Sequence, residues 1–262
     1  MSLREGIGQA TGLQWSGNIS DAIILDNSEV YDNVKKGMER IHGEYLGLPG
    51  FRVLSGRQLD MDLLIVQIPP YPQSVVEAVM ELYLFGIRRI ISVSRGYRLG
   101  GDIEPNAVLL AEAAIPLDSV SEKVAKRGLP LASSRSLLER AREIIDVRFS
   151  EFQPYLGFTV TVDSPRLPWI YQEIEDYMGQ RDVLGVDTVT APLYALRYIL
   201  PRLEALSMII VQRKIQPQGQ AVETDSEGYV RLLEREKKME SVLYIVALEI
   251  MHSLETSPAY RG

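Results

Sequence analysis

Arg95, Arg98 and Asp102 stand beside Gly96, Gly100 and Gly101 in the segment from Ser94 to Asp102. The spacing reads as a polar, glycine-rich loop leaving a buried strand, where α/β proteins place ligands. The same residues also make a tight connection with solvated arginines, and composition does not choose between the two. Other chemistries are closed off by residue type. The chain has no cysteine, which removes disulfides, thiolate catalysis and cysteine metal sites. Its two histidines, His42 and His252, leave no histidine-rich metal site, and a Ser-His-Asp arrangement has only these two to draw on.

The elements around that segment follow from periodicity and turn signals. Asp21 to Leu25 predicts a short strand. Val30, Val34, Met38 and Ile41 lie at helical spacing and predict a helix over 30–41, capped by Asn27 or Ser28. Tyr45 to Asp60 reads as one or two edge strands, and Met61 to Ile68 as a strongly buried strand. After Pro69, Pro70 and Pro72, Ser74 and Glu77 have capping-box spacing for a helix to Phe85, ended by Gly86. Arg89 to Val93 and Ala107 to Ile115 predict buried strands paired in succession, joined through a loop over 94–101 and a turn over 102–106.

Ser119 to Ser133 reads as a loop. Ser136 and Glu139 suggest a second capping box, for a helix through Val147. Tyr155 to Asp163 alternates like a strand, and Ile170 to Met178 reads as helical. Val183 to Asp187 predicts a strand, followed by a helix beginning near Pro192, capped by Thr188 or Thr190 and interrupted at Pro201. Ser207 to Val211 predicts a strand, Gln216 to Glu223 a polar loop, and Asp225 the start of a helix over 229–254. The alternation predicts a single α/β domain over 1–262: a three-layer αβα arrangement with a mixed central sheet, residues 1–20 forming a loose arm.

The chain has 262 residues, with 28 Lys and Arg against 35 Asp and Glu, a net charge of -7. That balance argues against a nucleic-acid or anionic-membrane partner. No apolar run approaches the ~20 residues that span a bilayer, and the first residues carry no signal core, so a cytoplasmic protein is expected.

The order of several segments resembles the nucleoside phosphorylase superfamily, the type that includes uridine phosphorylase and hexameric purine nucleoside phosphorylase. Asp21 to Tyr31, DAIILDNSEVY, resembles that family's first strand and phosphate loop. Leu63 to Gly86 resembles its next strand, glycine loop and helix. Gly86 to Asp118 resembles the central block, with Leu117-Asp118 and the turn Ile103 to Asn106 retained. Gly157 to Asp163, Val186 to Tyr194 and Met208 to Arg213 resemble three further segments. The order extends over roughly 190 residues, and no one match is specific. The resemblance implies a distorted barrel within a mixed sheet, and dimers assembled into a hexamer. It also implies a pentosyltransferase of nucleoside metabolism that uses inorganic phosphate as co-substrate and no other cofactor.

In that chemistry phosphate attacks the anomeric carbon and the base leaves, which calls for positive charge and amide donors at the phosphate. Against the family pattern, the phosphate-loop glycine falls at Asp26 and its arginine at Val30. The second loop's glycines fall at Ile68, Pro69 and Pro70. The central arginine falls at Ser92, the following Gly-Thr pair at Ser94 and Arg95, the ribose glutamate at Val189 and the base-stacking aromatic at Pro165. The polar groups left as substrate-binding candidates are Ser94, Arg95, Asp163, Arg166, Asp187, Thr190 and Arg213; no catalytic residue is singled out. Plainer roles are open to some of these residues and to Arg98: salt bridges at the surface or a subunit contact for Arg95 and Arg98, a turn or cap for Asp163, a solvated strand end for Arg213.

Three functions follow. One is a nucleoside phosphorylase or hydrolase with a rebuilt site, in which Arg95 serves phosphate, Asp187 or Thr190 the sugar and Arg213 the base. Another is a catalytically silent homologue, a structural or regulatory subunit in a homo-oligomer (dimer or trimer of dimers) or beside an active paralogue. The third is a binding module whose stiffer pocket is built with Pro69, Pro70, Pro72, Pro165 and Trp169.

Overall fold

The computed structural model describes residues 19–46, 50–99, 103–150, 153–165, 169–178, 180–214 and 226–256. Strands β1 (Asp21–Leu25), β4 (Met61–Gln67) and β5 (Arg89–Arg98) lie side by side in parallel. Their near-continuous apolar runs reflect burial on both faces: Ala22, Ile24, Leu64 and Val66 point to one side, Ile23, Leu25, Leu63 and Ile65 to the other. Strands β2 (Arg40–Leu46) and β3 (Arg52–Gln58) extend this sheet outward as an antiparallel pair.

Beyond β5 the sheet closes on itself. β10 (Glu204–Lys214) pairs parallel with β5 and antiparallel with β6 (Ala107–Pro116). From β6 the order runs through β8 (Tyr155–Thr161) and β9 (Val183–Asp187), and the end of β9 returns to β5 at Tyr97 and Arg98. Five strands therefore form a small barrel sharing β5 with the open sheet, and the two-residue β7 (Leu131–Ala132) hangs on β6.

Helices cover both faces. On one, α2 (Pro72–Leu84) and α5 (Thr190–Ile199) pack Val75, Val79, Leu82, Leu193 and Tyr194 against the sheet. On the other, α1 (Ser28–Gly37), α3 (Arg135–Arg148) and the long α6 (Ser226–Thr256) bury Tyr31, Leu137, Val246 and Met251. The short α4 (Ile170–Glu175) closes a third cluster with Val160 and Val186. The result is the three-layer αβα arrangement with a mixed sheet. Among the described residues, no helix is long and apolar enough to cross a membrane.

Several local expectations are corrected. Strands β5 and β6 do not pair; β10 lies between them, adding parallel contact to one and antiparallel contact to the other. β5 does not end at Val93, because β10 pairs with Ser94, Arg95 and Gly96 and so extends it. Gly96 is thus a strand glycine. A Cβ there would meet the Val186 carbonyl oxygen at 2.8 Å and Ile209 Cγ2 at 2.9 Å, so close strand approach demands it. Gly100, Gly101 and Asp102 lie outside the described residues.

Helix α1 stops at Gly37 and not at Ile41, because Arg40 and Ile41 are drawn into pairing with β3. Helix α2 begins at Pro72, whose fixed φ suits the first helical position, and not at Ser74. Helix α3 begins at Arg135, and Ser136 donates to Glu204 Oε1 at 2.7 Å instead of capping. Helix α5 begins at Thr190 after an uncapped Val189, and it ends before Pro201. Gly86 does end α2 as expected, with φ 101° and the Ile87 amide donating to the Leu82 carbonyl at 3.1 Å.

Candidate functional site

β1 ends at Leu25, and the turn into α1 carries Asp26 and Asn27. Asn27 caps α1 by accepting the Glu29 amide at 2.9 Å. Its side-chain nitrogen donates to Glu240 Oε1 at 2.9 Å, tying the turn to α6. β5 passes beside the turn, and the Arg95 amide donates to Asp26 Oδ2 at 2.8 Å. The Arg95 guanidinium donates through Nε to the same Glu240 oxygen at 2.5 Å. The Glu240 side chain is 4% exposed and the Arg95 side chain 35%, so the carboxylate of this charge-assisted pair is buried while the cation keeps contact with water.

Asp26 opens onto a cavity but lies deep enough that burial pushes its carboxyl up to about 7. The Arg95 amide and charge oppose this rise; Glu240 and Asp187 add to it. Only Oδ2 is engaged, and the second oxygen receives no hydrogen bond from the described residues.

Asp187 closes β9 on the opposite side. It accepts from Thr161 Oγ1 at 2.6 Å, from the Thr190 amide at 3.1 Å and from the Thr190 hydroxyl. Burial pushes its carboxyl up to about 6 against these bonds. Behind it, Thr190 Oγ1 lies 2.9 Å from Ser207 Oγ, which lies 2.7 Å from Ser92 Oγ. Each hydroxyl has one proton, so an ionised Asp187 orders the row: Ser92 donates to Ser207, Ser207 to Thr190 and Thr190 to Asp187. Tyr194 braces the row, accepting the Ser207 amide at 2.9 Å and donating to the Ala111 carbonyl at 2.7 Å.

The cavity between these groups measures about 370 Å³. Asp26, Arg95, Asp187, Thr188 and Gln212 supply its polar lining, and Pro70, Tyr71, Tyr97, Pro165 and Val186 its walls. Of the sequence candidates, Arg95 and Asp187 meet here, with Thr190 directly behind Asp187. Ser94 is buried in β5 outside the lining, its hydroxyl without a hydrogen-bond partner among the described residues. Asp163 accepts the Ser119 amide at 3.1 Å and hydroxyl at 2.9 Å, holding a turn, while its neighbours Ser164 and Pro165 line the cavity. Arg213 lies in β10 and is not among the described residues lining the cavity. Arg166 lies outside the described residues. Arg98 donates to the Ile103 carbonyl.

Glu240 and Asn27 were not among the sequence candidates. Glu240 sits in a long, highly charged helix, where nothing local separates it from solvated neighbours. Asp26 did carry a signal, as an acid in a segment resembling a phosphate loop. Among the described residues no group of three or more His, Asp or Glu is placed to hold a metal ion.

The sequence matches no family model and none of the curated proteins. Solved structures do match. The crystal structure of uridine phosphorylase from Vibrio fischeri ES114 complexed with 6-hydroxy-1-naphthoic acid superimposes with a TM-score of 0.78 at 19% identity, covering 92% of this chain and 93% of that one. A second crystal structure of uridine phosphorylase from Vibrio fischeri ES114 gives 0.77 at 20% identity, with the same coverage. The chain has the uridine phosphorylase fold. The likeness extends over nearly the whole of both chains. At this identity it speaks for the uridine phosphorylase fold alone, and the chemistry must be argued from the cavity's own residues.

Proposed function

We propose that this chain is a divergent relative of the nucleoside phosphorylases that does not use phosphate, and that it serves as a catalytically silent subunit or small-molecule binding protein. One observation carries the reading: Arg95 is already engaged by the protein's own carboxylates, its amide by Asp26 and its guanidinium by Glu240. An incoming phosphate would have to displace Asp26 from the amide, compete with Glu240 for the cation and approach two acids. Loss of one such donor costs roughly 3–4 kcal/mol of transition-state stabilisation, and several are lost together. The position resembling the ribose glutamate is Val189, 1% exposed and packed in the core.

The decisive experiment is an assay of the purified chain on uridine, inosine and adenosine, with and without phosphate. The reading expects no phosphate-dependent base release, and robust phosphorolysis would refute it. Isolation from its native source should recover the chain in an oligomer, of itself or with a phosphorylase whose arginines and glycine loops are intact.

A second reading draws on Asp26, whose carboxyl titrates near neutrality at the cavity. A group of that kind suits general-base catalysis. In a hydrolytic reaction water attacks the anomeric carbon, Asp26 takes the water proton, and the bond to the base breaks with its electrons leaving on the base. Base release in the phosphate-free arm of the same assay distinguishes this nucleosidase from a silent chain.

A further inference from the structure

We propose that the cavity at Asp26 binds a planar cationic nitrogen compound, such as an aminated heterocycle protonated on its ring. This deepens, and rests on, the reading that the site does not serve phosphate. The argument begins with charge. Asp26 and Asp187 both line the cavity, and Glu240 stands behind Arg95. Arg95 is the one cation in the described lining, and its guanidinium is drawn onto Glu240 at 2.5 Å. The field left in the cavity favours positive charge.

Hydrogen bonding narrows the class. Both oxygens of Asp187 already accept hydrogen bonds, Oδ1 from Thr161 and Oδ2 from Thr190, and the carboxylate holds the start of α5. Asp26 keeps an oxygen that receives no hydrogen bond from the described residues. A ligand N–H carrying positive charge is the complementary partner, because a charge-assisted bond to carboxylate is stronger than one between neutral groups.

Shape supplies the planarity. Pro70, Tyr71, Tyr97 and Pro165 line a volume of about 370 Å³ with ring side chains, in the range of small-molecule pockets. Tyr71 lines the cavity and is 54% exposed, and an aromatic ring in such a wall attracts a cation. A metal ion is a poorer match, since the described residues offer no cluster of three ligating side chains.

Calorimetric titration of the full chain with 4-aminopyridine, benzoate and inorganic phosphate, at mildly alkaline pH, tests the proposal. 4-Aminopyridine is protonated there and benzoate is its anionic counterpart. The expected result is about tenfold or greater preference for 4-aminopyridine over benzoate, lost in Asp26→Asn, which keeps size and the bond to the Arg95 amide. Tyr71→Ala, at the exposed rim, should weaken 4-aminopyridine binding about two- to fivefold. Benzoate binding as tightly as 4-aminopyridine, or a preference that survives in Asp26→Asn, overturns the proposal. So does the failure of all three probes to bind, which leaves the phosphate-independent reading standing. Phosphate binding more tightly than either aromatic probe overturns both.

Discussion

Replacing Asp26 by Asn should change how stability depends on pH, in a direction set by the geometry. Folding holds the Asp26 carboxyl at about 7, against 3.8 for an ordinary aspartate, because burial outweighs the pull of Arg95. The folded chain therefore binds one more proton than the unfolded chain between about pH 4 and 7, and stability falls as pH rises through that window. Three pH units at about 1.4 kcal/mol each set a ceiling of about 4 kcal/mol. Water reaching the cavity lowers this, and about 2–3 kcal/mol is the working figure.

The Asn side chain keeps an oxygen for the Arg95 amide and has no proton to release. The variant should match the parent near pH 4 and exceed it by that amount near pH 8, about 5–10 °C in melting temperature. Arg95, Glu240 and Asp187 also face this carboxyl, and all remain in both proteins. Calorimetric melts of both proteins across this range decide the matter. A melting difference that stays constant from acid to alkaline pH would refute the assignment of a strongly raised Asp26.

Two further substitutions test the frame that holds the cavity. Gly96→Ala places a methyl 2.8 Å from the Val186 carbonyl oxygen and should cost about 1–3 kcal/mol by urea denaturation, parting β5 from β9; an unchanged midpoint would remove the close-approach argument. Tyr194→Phe leaves the Ser207 amide and the Ala111 carbonyl each short of a partner and should cost about 2–3 kcal/mol, measured the same way.

The sheet's interior strands were legible because burial on both faces leaves an unbroken apolar signature, as in Ile23 to Leu25 and Leu63 to Val66. Gly86 was legible for a different reason: its left-handed φ follows from a helix ending in the local sequence. Gly96 was misread, since a glycine needed for strand contact and one needed for a turn look alike until the neighbouring strands are in place. The capping boxes at Ser74 and Ser136 were misread because a proline φ and a distant Glu204 outweighed the local bonds they offered.

For the site the division is sharper. The residue types already excluded thiolate chemistry and showed an acid at Asp26 where the resemblance expects a phosphate-loop glycine. That Asp26 takes the Arg95 amide, 69 positions away, and that Glu240 takes the guanidinium, 145 positions away, is a property of the folded chain. The order of apolar segments determined the layers, because burial periodicity is a local property. Which charges meet in the cavity was decided only by the closure of β5 against β9 and β10 and by the packing of α6, which bring together groups with no local relation.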